Sequence, residues 1–130
     1  MNIVDSSGWL EFFADGPNAG FFAPPLQKPA ELLVPTVSIY EVFKRILQQK
    51  EETQALRAVA AMHQVSVLPL DEAQALRAAR LSLGLRLPMA DSIMLASARA
   101  TGSVLWTQDS HFKEIEGVRY VEPAKKRYGA

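Results

Sequence analysis

Two patterns of apolar positions alternate along the chain. Short apolar runs end on an acid, a proline or a turn residue, and between them lie longer stretches whose apolar residues recur every three or four positions. The first pattern suits strands buried on both faces, and the second suits helices laid against them. Met1–Asp5 is the first strand, and the following Ser6-Ser7-Gly8 leads into helical spacing at Trp9, Phe12 and Phe13. Asp15-Gly16-Pro17-Asn18 is a turn cluster. Pro24 and Pro25 then forbid a long helix, so residues 20–29 read as a broken helix or loop whose Phe21 and Phe22 face a partner.

Leu32-Leu33-Val34 is a second strand closed by Pro35, and residues 36–50 form an amphipathic helix built on Tyr40, Phe43 and Leu47. Residues 51–62 continue as helix, with Leu56, Val59 and Ala60 on the apolar side, before a third strand at residues 65–68. Asp71 and Gln74 open the next helix as a capping box. Its inward residues are Leu76, Ala79 and Leu83, Arg77 and Arg80 point out, and Gly84 is its left-handed stop. Residues 103–107 and 118–121 are the fourth and fifth strands, with a short helical turn after Gln108.

The most informative stretch is PMADSIMLASARA, residues 88–100. A proline suited to a first helical turn precedes a run with almost no polar face, so this helix packs between other elements. Asp91 is the one acid in it. A helix N-terminus stabilises a carboxylate by about 0.3–1 kcal/mol, whereas burying an unpaired carboxylate costs several kcal/mol. Asp91 is therefore paired, metal-bound or open to a cleft.

Alternating short strands and helices indicate a parallel sheet covered on both faces. Ligands bind such sheets beyond the strand C-termini. Asp5 ends the first strand, Asp109 follows the fourth, and Glu41 and Asp91 begin helices entering from the same edge, so four acids converge on one rim. Each also has a purely structural reading: Asp5 or Ser6 as a helix cap, Ser38 with Glu41 as a capping box, Glu41 with Arg45 as a helical ion pair. Four carboxylates within about 5 Å, however, repel by roughly 3 kcal/mol per pair at an effective dielectric of 20. A divalent cation removes that conflict, and Mg2+ or Mn2+ held by carboxylates and water can activate water for phosphodiester cleavage.

Composition narrows the alternatives. The 130 residues fit one domain spanning 1–130, and the absence of cysteine excludes disulfides and thiolate zinc sites. With only two histidines a histidine-rich cage is excluded too, so any metal is expected to be held by oxygen. Fourteen basic and fourteen acidic residues cancel, so a nucleic-acid partner needs a local basic patch. Lys44, Arg45, Arg86 and Lys113 are candidates for phosphate contacts, while Lys125-Lys126-Arg127 reads as a solvated basic tail. No run is long enough to span a membrane and no signal peptide is visible, which gives a soluble, cytoplasmic protein as the expectation. The chain lacks a cysteine nucleophile, a GxSxG elbow, a GxGxxG turn and a phosphate-binding loop ending in GKS or GKT. His111 reads as structural, or as a group that stacks on a base or donates a hydrogen bond, and Trp9 and Trp106 read as core.

VDSS at the first strand end, SIYE after the second, PMADSIMLASA, and WTQDSHF after the fourth stand in the order and approximate spacing of the PIN-domain family. Over essentially its whole length the sequence resembles that family, particularly the VapC-type toxins of bacterial toxin–antitoxin pairs. The resemblance implies a five-stranded parallel sheet ordered 3-2-1-4-5 and flanked by helices. It further implies an endoribonuclease dependent on Mg2+ or Mn2+, a homodimer, and inhibition by a cognate antitoxin. Asp5, Glu41, Asp91 and Asp109 match the family's acidic quartet, Thr107 matches a supporting hydroxyl residue, and Ser6 is a weaker candidate for the same work. Gln108 falls at a variable position. Competing readings are a PIN-fold binding module with inert acids, a metal phosphatase acting on small esters, and a receiver-like signalling domain. The receiver reading lacks its acid pair and its lysine after the penultimate strand.

Overall fold

Each of the five apolar runs is short and forms a strand, and after each of the first four the chain turns into a helix. The structure, a computed structural model, describes residues 1–124. The strands are β1 (Asn2–Val4), β2 (Leu32–Pro35), β3 (Ser66–Leu68), β4 (Val104–Thr107) and β5 (Val118–Tyr120). They pair in parallel in the order β3-β2-β1-β4-β5, with Ile3 opposite Leu33 on one side and Leu105 on the other. A receiver-like sheet would run 2-1-3-4-5, so that reading falls.

Six helices cover the sheet: α1 (Ser6–Phe13), α2 (Ala19–Leu26), α3 (Thr36–Gln49), α4 (Glu52–Met62), α5 (Glu72–Leu85) and α6 (Met89–Thr101). Strand side chains alternate between the faces. Val4, Leu32, Val34 and Trp106 point to a core with Trp9, Phe22, Val42, Ala58 and Met62 from α1 to α4. Ile3 and Leu105 point the other way, to Leu87, Phe112 and the α6 residues Met94, Leu95 and Ala98. The helix around Asp91 is buried as expected, from Ser92 to Ala98 without a break. α5 closes it off from outside, with Ala78 and the partly buried Leu81 against Ile93 and Ala96.

Several expected details are corrected. Of the two readings for this segment the helical one holds: residues 19–26 are a short, unbroken helix with Pro24 and Pro25 inside it, ending one residue later. Phe22 is fully buried and Phe21 stacks on Trp106 with ring centroids 5.2 Å apart, so this segment is not an aromatic surface for a partner. In α3 the core residue is Val42, while Tyr40 and Leu47 face out; in α4 the inward residues are Ala55, Ala58 and Met62, with Leu56 exposed. In α5 only Ala78 is buried, and Leu76 and Leu83 are exposed. Small residues bring these helices close to their neighbours, which turns the larger apolar side chains outward. Gly84 lies inside α5, and Arg86 instead takes the left-handed stop at φ 55°. The tail at Lys125-Lys126-Arg127 lies outside the described residues. Among the described residues no helix is long and apolar enough to cross a membrane.

Candidate metal centre

β1 ends at Val4, and the next residue must leave the sheet and start α1. Asp5 does so in extended conformation, its carboxylate accepting from the Gly8 N–H at 3.0 Å. Capping and site geometry coincide in this side chain. Its Oδ1 also accepts from Ser7 Oγ at 2.6 Å, and its Oδ2 accepts from Thr107 Oγ1 at the end of the neighbouring strand β4. Thr107, itself fully buried, accepts from the Asp109 N–H at 2.9 Å. A continuous relay thus fixes two acids from positions 104 residues apart.

Glu41 projects from the second turn of α3. The helix begins at Thr36, so Ser38 and Glu41 form no capping box: Ser38 Oγ donates to Met94 Sδ at 3.3 Å, and Glu41 accepts from Ser6 Oγ at 2.6 Å. Nor does Glu41 pair with Arg45, since the ion pairs among the described residues lie elsewhere. Asp91 sits in the first turn of α6, and Asp109 caps the short helical turn Ser110–Phe112.

All four acids line one cleft of about 330 Å³, together with Ser6, Ser7, Leu10, Tyr40, Lys44, Arg45, Gln48 and Met94. Of the basic residues singled out in the sequence, Lys44 and Arg45 are in this cleft. Arg86 and Lys113 are not among its lining residues, and Lys113 pairs with Glu122 at 3.3 Å. Trp9 and Trp106 are buried, as expected of core residues.

The electrostatics record the conflict between acids. Burial pushes the Asp5 carboxyl up to about 7, against the hydrogen bonds from Ser7, Thr107 and Gly8 that lower it. Asp91 rises to about 6, through burial first and the Asp109 carboxylate second. Burial, and for Asp91 also the Asp109 carboxylate, thus holds both acids above the usual carboxylate range, with His111 opposing the rise at Asp91. Carboxylates prepared in this way suit a hard divalent cation, whose charge restores their ionised form.

Two participants escaped sequence reasoning. Ser7 touches Asp5 and also meets the Gln108 N–H at 3.4 Å, tying α1 to the loop after β4. Its only signal was its place beside Ser6. Gln108 is equally involved, accepting from Asn18 Nδ2 at 2.9 Å. His111 Nδ1 lies 2.9 Å from Asp91 Oδ2 and 3.0 Å from Asp109 Oδ1, and both acids hold its imidazole pKa above the usual range, Asp109 more strongly.

The family model described as PIN domain matches residues 3–118. No curated protein sequence matches the chain. Among solved structures, the fold is similar to a toxin–antitoxin complex from Klebsiella pneumoniae, with a TM-score of 0.77 at 21% identity over 92% of this chain and 96% of that one. It is similar to the Mycobacterium tuberculosis VapC20, a sarcin–ricin loop cleaving toxin, with a TM-score of 0.74 at 16% identity over 89% and 95%. It is also similar to VapBC2 from Rickettsia felis bound to a promoter DNA fragment, with a TM-score of 0.72 at 12% identity over 93% and 97%.

Proposed function

The chain belongs to the PIN-domain family, and from that premise we propose that it is a divalent-metal-dependent endoribonuclease, the toxin of a type II toxin–antitoxin pair acting in the cytoplasm. The observation that carries this reading is the convergence of Asp5, Glu41, Asp91 and Asp109 on one open cleft, with Lys44 and Arg45 on its wall. In this reading Asp5, Asp91 and Asp109 hold Mg2+ or Mn2+ directly or through water, and Glu41 orients the attacking water or a second ion. The bound cation supplies a nucleophile at neutral pH and stabilises the leaving oxygen. Thr107 and Ser7 keep the Asp5 carboxylate oriented by donating to both of its oxygens. Ser6 orients Glu41 by donating to one of its oxygens. Lys44 and Arg45 draw the substrate phosphates towards the acids, a contact weakened by salt.

The partners in this reading are RNA, a cognate antitoxin and a second copy of the chain. An open groove of about 590 Å³ between α1, α3 and α4, lined in part by Leu10, Phe13, Ile46 and Ala58, adjoins the acidic cleft and supports a protein partner there. This groove replaces the Phe21–Phe22 surface expected from the sequence.

The purified protein is expected to cleave RNA in Mg2+ or Mn2+ and to stop in EDTA. Asp109→Asn should lower the rate by orders of magnitude while the protein stays folded. Undiminished cleavage in EDTA would remove the metal mechanism. Turnover of para-nitrophenyl phosphate with RNA left intact would replace the nuclease by a phosphatase of small esters, and inertness towards both would leave a binding module.

A further inference from the structure

We infer that His111 is itself a ligand of the cation held by Asp91 and Asp109, giving the centre one nitrogen donor and a preference for Mn2+ over Mg2+. The inference rests on the metal-centre reading above and adds to it a nitrogen donor. Asp91, Asp109 and His111 each present one donor atom, and the three atoms lie within 4.8 Å of one another. The position of the imidazole is fixed by backbone on both sides. The His111 N–H donates to Asp109 Oδ1 at 2.9 Å, and the next residue, Phe112, is fully buried in the core. The side chain itself is 54% exposed, so packing does not explain where its ring points.

The spacing argues for a shared cation. Octahedral ligands about 2.1 Å from an ion stand about 3.0 Å apart along each edge. His111 Nδ1 is 2.9 Å from Asp91 Oδ2 and 3.0 Å from Asp109 Oδ1, which matches two such edges. A proton on Nδ1 shared between the two carboxylates gives the same distances, so direct nitrogen coupling to the ion is what separates a ligand from an ion pair. A cation between the three atoms satisfies both contacts together. Imidazole suits transition metals, whereas Mg2+ holds to oxygen and water, so the nitrogen biases the site towards Mn2+.

The test uses the full chain loaded with Mn2+ at pH 8. Pulsed electron paramagnetic resonance reads 14N coupling to the bound ion, and calorimetric titrations with Mn2+ and with Mg2+ read affinity, for the parent and for His111→Gln. The expected result is directly coordinated nitrogen in the parent and none in the variant. Mn2+ affinity should fall by about tenfold or more and Mg2+ affinity by much less. The chain has only one other histidine, His63, at the far end of α4, so the signal has one source to lose. Bound Mn2+ without nitrogen coupling in the parent, coupling that survives in the variant, or equal effects on the two metals would overturn the inference. The two readings fail separately. RNA cleavage without nitrogen coupling sinks the ligand and keeps the nuclease, and nitrogen coupling without cleavage does the reverse.

Discussion

Asp5 is asked to be both a helix cap and a charged group in a buried place, and these demands pull on its proton in opposite directions. Its carboxyl is raised from 3.8 to about 7, chiefly by burial. Below about pH 4 it is protonated in folded and unfolded chains alike and contributes nothing. Between about 4 and 7 the unfolded chain ionises while the folded one holds its proton, so stability declines as pH rises, by an amount on the order of a few kcal/mol. Asn caps a helix about as well as Asp and carries no charge. Metal-free Asp5→Asn is therefore expected to gain stability relative to the parent as pH rises across that window, measured by urea unfolding at each pH. Parallel curves for the two proteins would contradict the burial account. Saturating Mn2+ should cancel the decline in the parent, since it holds the carboxylates in their charged form. Asp5 was legible in the sequence as an acid at a strand end, but cap and ligand require the same residue at the same place, and only its contact with Thr107 separates them. His111 was not legible in this way. Its partner Asp91 is 20 residues upstream; the topology brings the turn after β4 to the start of α6, but nothing local says which side chain of that turn reaches the acid.

At the scale of elements, periodicity found every α-helix except α2 but misplaced the faces of three. Reading inward from the largest apolar residues chose Tyr40, Leu47, Leu56, Leu76 and Leu83, whereas the packed positions are Val42, Ala55, Ala58 and Ala78. A helix packed closely on another needs small side chains at the contact, and a size-weighted reading is blind to that requirement. The same requirement is at its strictest in α1. A Cβ on Gly8 would stand 2.5 Å from Val4 Cγ1 and 2.6 Å from Phe22 Cε1, both buried side chains with no room to retreat. Alanine is the better helix former by about 1 kcal/mol, yet overpacking of this kind costs about 1–3 kcal/mol. Gly8→Ala is expected to be destabilised on balance in chemical denaturation. It should also blunt the Mn2+-induced thermal shift, because the Gly8 N–H holds Asp5. A variant as stable as the parent would show that α1 and α2 can part without cost.

At the scale of the molecule, the parallel sheet and its order were readable because alternating strands and helices admit few arrangements. What was not readable is which apolar residues stay outside. Leu83 is 86% exposed and Leu76 54%, both on the outer face of α5. The proposed second copy of the chain is expected to cover them. Replacing both by Gln should change unfolding free energy by no more than about 1 kcal/mol, while light scattering at micromolar concentration reports a smaller assembly than the parent's. A parent that is strictly monomeric would remove the dimer.

The sheet order also sets a clock. β1 lies at the centre, between β2 and β4, yet it is the first strand to be translated, and its partner β4 is separated from it by about a hundred residues. At roughly 5–20 residues per second, Asp5 leaves the ribosome about five to twenty seconds before Asp109. During that interval the nascent chain gains Glu41 and then Asp91, but it lacks Asp109 to the end and, until just before the end, Thr107, which orients Asp5. The cleft therefore cannot be completed piecemeal during synthesis, and a ribosome making this protein is not exposed to an assembled acidic centre until β4 and its loop have emerged.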